Sequence, residues 1–71
     1  MYYLACCDDE GKCFGYLDKN NNPVSDENKF NDDYLLTFKD KRTANEKIMQ
    51  INLGKILLPN GYPFRVVAVK G

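Results

Sequence analysis

Seventy-one residues, with 44% hydrophobic, 13% aromatic and 28% charged side chains and ten bases against ten acids, describe one small folded domain of zero net charge. That size and balance exclude a multidomain enzyme and a strongly basic histone-like binder, and the aliphatic content argues against a disordered chain. No window approaches the roughly 18 apolar residues of a membrane span, and the opening Met1-Tyr2-Tyr3-Leu4 is not a basic-then-apolar leader, so the sequence reads as neither a membrane protein nor a secreted precursor.

Tyr2 to Cys7 is a run of aromatic and small apolar residues and predicts a strand. Asp8-Asp9-Glu10-Gly11 predicts a type I turn closed by a glycine in the left-handed region, and Lys12 to Leu17 the returning strand. With Asp8 facing Lys12, regular pairing puts Cys7 opposite Cys13, Cys6 opposite Phe14 and Leu4 opposite Tyr16. The bulkier face, Tyr2, Leu4, Cys6, Phe14 and Tyr16, is then the expected core side; a one-residue slip would reverse it.

Cys6, Cys7 and Cys13 are an odd set and cannot all pair within one chain. The absence of a leader points to a reducing compartment, in which they are expected to be free thiols acting as small apolar strand residues. A cross-strand disulfide or an intermolecular bridge is the alternative. Zinc lacks ligands, because the chain has no histidine and no fourth thiolate.

Asp18 to Pro23 is a polar turn, with Val24 beginning a short strand. Asp18, Asn20, Asn22 and Asp26 fall at spacings of a calcium loop, but Pro23 stands where glycine is needed and Lys29 where a bidentate glutamate is needed, so a plain turn is expected. Ser25 to Asp33 reads as an acidic loop with Phe30 tucked against the core. Tyr34 to Phe38 predicts a third strand, with Leu36 and Phe38 on one face and Leu35 and Thr37 on the other.

Thr43-Ala44-Asn45-Glu46 has the form of a capping box, and Gly54 can supply the left-handed residue after a helix end. Between them Ala44, Ile48 and Ile51 fall within one narrow arc at about 100° per residue, the stripe expected to pack on the sheet. Met49 and Leu53 fall on another side, where Ile56-Leu57-Leu58 is expected to fold back over them. Pro59-Asn60-Gly61 predicts a turn, and Phe64 to Val69 a last strand with Val66 and Ala68 on the face shared with Phe64. The expected fold class is α+β: a small antiparallel sheet of about four strands with one α-helix packed on one face, residues 1–71 as a single domain.

Chemistry is thinly supplied. Nucleophilic catalysis lacks an imidazole base, Ser25 is the only serine, and Gly11-Lys12-Cys13-Phe14-Gly15 is not a phosphate loop. No catalytic residue, cofactor or metal is expected. Charge is more informative. Residues 1–40 hold nine acids and four bases; residues 41–71 hold one acid and six bases. Lys39, Lys41, Arg42 and Lys47 straddle the helix start, where exposed amides would suit a phosphate, and Tyr3 or Tyr34 could stack on a base. Two arginines and zero net charge are thin for nucleic acid. Five tyrosines in and beside strands suit protein contact better.

Along its length the chain resembles, in style, short proteins encoded by phages and prophages of low-GC Gram-positive bacteria. The residues that carry this are Met1-Tyr2-Tyr3-Leu4, Tyr16-Leu17-Asp18-Lys19-Asn20, Phe38 followed by Thr43-Ala44-Asn45-Glu46, and Phe64-Arg65-Val66-Val67, with eight asparagines and eight lysines. The resemblance implies an intracellular accessory role, binding and modifying a host or phage protein, and transfers no site residue. The expected function is therefore a non-enzymatic cytoplasmic protein-interaction module, with homodimerisation through a sheet edge open to it. The alternative is a small nucleic-acid-binding accessory protein using the basic helix start.

Overall fold

The computed structural model describes residues 1–25, 27, 31–54 and 65–71. In chain order the elements are β1 (Tyr2–Cys7), β2 (Cys13–Leu17), β3 (Pro23–Ser25), β4 (Thr37–Phe38), α1 (Lys41–Asn52) and β5 (Arg65–Lys70). The fold is the expected α+β layer, a curled antiparallel sheet with one helix. The expectations for Phe30, Ile56-Leu57-Leu58, Pro59-Asn60-Gly61 and Phe64 fall outside the described residues.

β1 is the centre of the sheet. On one side it pairs along its whole length with β5, from Tyr2 opposite Lys70 to Cys7 opposite Arg65. Its other side is shared: β2 takes Ala5 to Cys7, and β4 takes Tyr2 and Tyr3. β2 parts from β1 beyond Ala5 and turns its far end to residues 34–36, through the Asp18–Leu35 bridge and the Leu36 amide donating to the Leu17 carbonyl at 3.1 Å. The 34–38 segment thus fills the opening between two diverging strands, which is how so short a chain curls its sheet. β1 is buried on both faces from Tyr3 onward, as its nearly unbroken apolar sequence requires.

Both tight hairpins use one device. Asp8 Oδ1 accepts from the amides of Glu10 and Lys12 at 3.0 and 2.9 Å, while the Asp8 amide donates to Lys12 O and the Gly11 amide to Asp8 O. Asp18 Oδ1 accepts likewise from the amides of Asn20 and Asn22, both at 2.8 Å, with the Asp18 amide donating to Asn22 O and the Asn21 amide to Asp18 O. The fourth residue of each turn is left-handed, Gly11 at φ 87° and Asn21 at φ 64°, conformations that glycine and asparagine adopt most readily. The Asp18 carboxylate is therefore engaged by backbone amides within its own turn.

One register expectation is overturned. Cys7 does face Cys13, but Cys6 faces Gly15 and Ala5 faces Tyr16, because an extra residue, Phe14, is inserted between the pairs. This bulge shifts every later side chain of β2 to the opposite face. Leu17 joins Leu4, Cys6, Ala44 and Val66 in the core beneath the helix, and Phe14 is 44% exposed. The cysteine expectation is corrected too: Cys7 and Cys13 form a disulfide, and only Cys6 is a free thiol. The turn at Asp8 sets these two residues directly opposite each other, which is what allows the bridge.

The helix starts earlier than the capping box suggested. Asp40 is its N-cap, accepting at 2.8 Å from both the amide and the hydroxyl of Thr43, which becomes the third helical residue. Glu46 pairs instead with Arg42 at 3.5 Å. The C-terminal end is as expected: Gly54 is left-handed at φ 76°, donating to Ile51 O. Ala44 is fully buried, and Ile48 and Ile51 pack on the core with Tyr2, Leu36, Phe38 and Ala68. Leu35 is fully buried but stands outside that cluster, consistent with the alternation expected along residues 34–38.

Candidate interaction surface

Three regions could meet a partner: the basic helix start, the free face of α1, and the outer strands of the sheet. Lys39 precedes the N-cap and Lys41 and Arg42 open the first turn of α1; all three are exposed. β4 sets this turn beside the Tyr2 end of β1, where Lys70 of β5 also lies opposite Tyr2. The acidic turn Asp8–Glu10 is at the other end of β1. The uneven charge of the sequence therefore becomes, in part, a polarity along the sheet.

The remaining expected site residues are less available. Lys47 is half-buried beside the core-facing arc of α1. Tyr34 is 47% exposed in the turn at 31–34, whereas Tyr3 is only 4% exposed and donates from its hydroxyl to Asp32 Oδ1. That hydrogen bond to Asp32, followed by burial and by the nearby negative charge, pushes the Tyr3 phenol above its usual range. A ring held in this way offers no face to a nucleic-acid base.

The helix start is also already occupied. Asp40 places a carboxylate in the midst of the basic group and takes the Thr43 amide that a phosphate would need. The Thr43 backbone and hydroxyl bonds hold the Asp40 carboxyl below its usual range, helped by the charges of Arg42 and Lys39. The negative charge of Asp40 opposes an incoming anion. Asp40 thus competes with a phosphate for one amide of this turn, while Lys39, Lys41 and Arg42 remain as surface charges.

The outer face of α1 carries the second apolar pair of the helix. Met49 and Leu53 are exposed at 61% and 65%, and the segment expected over them, residues 56–58, lies outside the described residues. On the helical wheel they follow Arg42 and Glu46 at intervals of three and four residues, forming one stripe roughly opposite Ala44, Ile48 and Ile51. The signal was present in the sequence, since Met49 and Leu53 already fell outside the core-facing arc. The Arg42–Glu46 pair within the stripe is highly exposed, so it contributes little stability and is easily exchanged for other partners.

Among the described residues β3 and β5 pair on one side only. β3 has three residues and carries Pro23, features that blunt an edge. β5 presents Arg65 and Lys70 at its two ends, with Val67 38% exposed on the face away from the helix. No helix among the described residues is long and apolar enough to cross a membrane.

Comparison of the chain with protein-family models, with curated proteins and with solved structures gave no match.

Proposed function

We propose that this protein is a non-enzymatic interaction module of the cytoplasm that inserts the outer stripe of α1 into an apolar groove on a partner protein. The observation that carries the reading is the exposed Met49–Leu53 pair, one helical turn apart on the side of α1 turned from the core. Helices that dock in grooves use anchors at such three- and four-residue intervals. Methionine is favoured at adaptable binding surfaces because its flexible, polarisable side chain fits irregular pockets. Arg42 and Glu46 extend the stripe, so the groove we envisage has an apolar floor and a charged rim. The likeness in style to small phage and prophage proteins supports an accessory role of this kind, with a host or phage protein as partner.

The test pairs binding with folding. The chain, immobilised and exposed to extract of its native host, should retain a stoichiometric protein after nuclease treatment. Replacing Met49→Asp and Leu53→Asp together should abolish that retention while far-UV circular dichroism and the melting temperature stay near the parent values. Equal retention by the doubly substituted chain would refute the surface. A collapse of its melting temperature would show that the two side chains serve the fold instead. Release of the retained material by nuclease would favour nucleic acid.

A further inference from the structure

Cys7 and Cys13 are the directly opposed pair next to the β1–β2 turn, and their disulfide closes a short loop. Three observations separate this bond from a structural staple. The loop is already closed without it, by the two amide bonds to Asp8 Oδ1 and the two backbone bonds between Asp8 and residues 11 and 12. A crosslink stabilises chiefly by restricting the unfolded chain, and it does so least when the loop is short. The two half-cystines also differ in access: Cys13 is exposed, whereas Cys7 is 3% exposed. An incoming thiolate therefore has one sulfur to approach, with the other placed inside as the leaving group.

The third observation concerns Cys6. It is fully buried in the core beneath the helix, on the face of β1 away from Cys7. Burial pushes its thiol up to about 11, leaving roughly one molecule in ten thousand as the reactive thiolate at neutral pH. The neighbouring free cysteine is thus withheld from exchange.

We propose that Cys7–Cys13 is a reversible thiol–disulfide couple that exchanges with an external dithiol while the domain remains folded. In the first step a thiolate of the dithiol attacks Cys13 Sγ. The Cys7–Cys13 bond breaks, a mixed disulfide forms on Cys13, and Cys7 leaves as a thiolate that takes up a proton. The second thiol of the reductant, as its thiolate, then attacks its partner sulfur in the mixed disulfide. The reductant closes into a cyclic disulfide and Cys13 is released to be protonated. Two electrons and two protons pass from the dithiol to the cysteine pair, and a disulfide oxidant reverses the exchange.

The experiment uses the whole chain, oxidised with glutathione disulfide and then treated with dithiothreitol at neutral pH without denaturant. After quenching with N-ethylmaleimide, mass spectrometry should find two labels, mapped to Cys7 and Cys13, and none on Cys6. Far-UV circular dichroism should match before and after reduction, and glutathione disulfide should restore the unlabelled state. A Cys6→Ala chain should give the same two labels. The proposal falls if labelling requires denaturant, if reduction erases the helical signal, if Cys6 is labelled in the folded chain, or if Cys6→Ala alters the pairing.

Discussion

Replacing Gly15 by alanine should be one of the most damaging single-atom additions to this fold. Gly15 is paired on both sides, with Cys6 of β1 and Ser25 of β3. A Cβ built on it would lie 2.1 Å from the carbonyl oxygen of Val24 and 3.1 Å from its carbon. Ordinary contact begins near 3.4 Å, so β3 would have to withdraw by about 1.3 Å. The obstacle is backbone, which cannot rotate aside as a side chain does, and withdrawing it loosens the Gly15–Ser25, Tyr16–Val24 and Leu17–Pro23 pairs together. Overpacking a tight site costs about 1–3 kcal/mol, and we expect the upper end, about 3 kcal/mol. A domain of this length has roughly 4–10 kcal/mol in total, and the loss corresponds to a fall of roughly 12–24 °C in melting temperature. Urea and thermal unfolding followed by circular dichroism would measure it. Gly11→Ala is the internal comparison: its φ of 87° is unfavourable to alanine, but nothing lies within 4 Å of the added carbon. Only the conformational cost of about 1–2 kcal/mol applies there. If Gly15→Ala proved no more destabilising than Gly11→Ala, the close approach of β2 and β3 would be wrong.

Two further substitutions examine the helix start and the second buried face. Asp40 has its carboxyl lowered in the folded state by Thr43, so its contribution is present above the unfolded value near 3.8 and is lost as pH falls through the lower folded value. Asp40→Asn, which keeps a capping oxygen but does not titrate, should flatten that part of the acid-unfolding curve, whereas Asp40→Ala should lower stability at neutral pH; matching acid curves for Asp40→Asn and the parent would contradict the cap. Leu35→Ala removes a fully buried side chain and should cost about 2–5 kcal/mol in urea unfolding, clearly more than Leu36→Ala at its half-buried neighbour; the reverse order would misplace the face on which Leu35 lies.

The parts of the fold that were legible in the sequence are those governed by local chemistry. Asp8 to Gly11 and the Ala44–Ile48–Ile51 arc could be read because turn residues and helical periodicity act over a few neighbours. The alternation of Leu35 and Thr37 against Leu36 and Phe38 was legible for the same reason. What could not be read depends on a third segment. The bulge at Phe14 places Gly15 where the Val24 carbonyl of β3, nine residues further on, closely approaches it. The helix start moved from Thr43 to Asp40 because both residues are good caps, and the path from β4 selects between them. For the candidate surface, the outward placement of Met49 and Leu53 was visible on the wheel. The buried state of Tyr3 depended on Asp32, 29 residues away.

The position of the Met49–Leu53 stripe follows from the way the sheet is built. β1 is central and buried on both faces, so one face must be closed by α1 while the other needs its own cover. A single helix buries one arc against a sheet, and α1 spends that arc on Ala44, Ile48 and Ile51 over Leu4, Cys6, Leu17 and Val66. The opposite arc of the same helix points away from every strand, at a distance of about one helix diameter, 10 Å. No rotation of α1 can bury Met49 and Leu53 on this sheet without exposing Ala44 and Ile51 in exchange. The two apolar arcs therefore answer to different demands. The inner one closes the core, and the outer one faces none of the described strands, which is why substitutions on it should separate binding from folding.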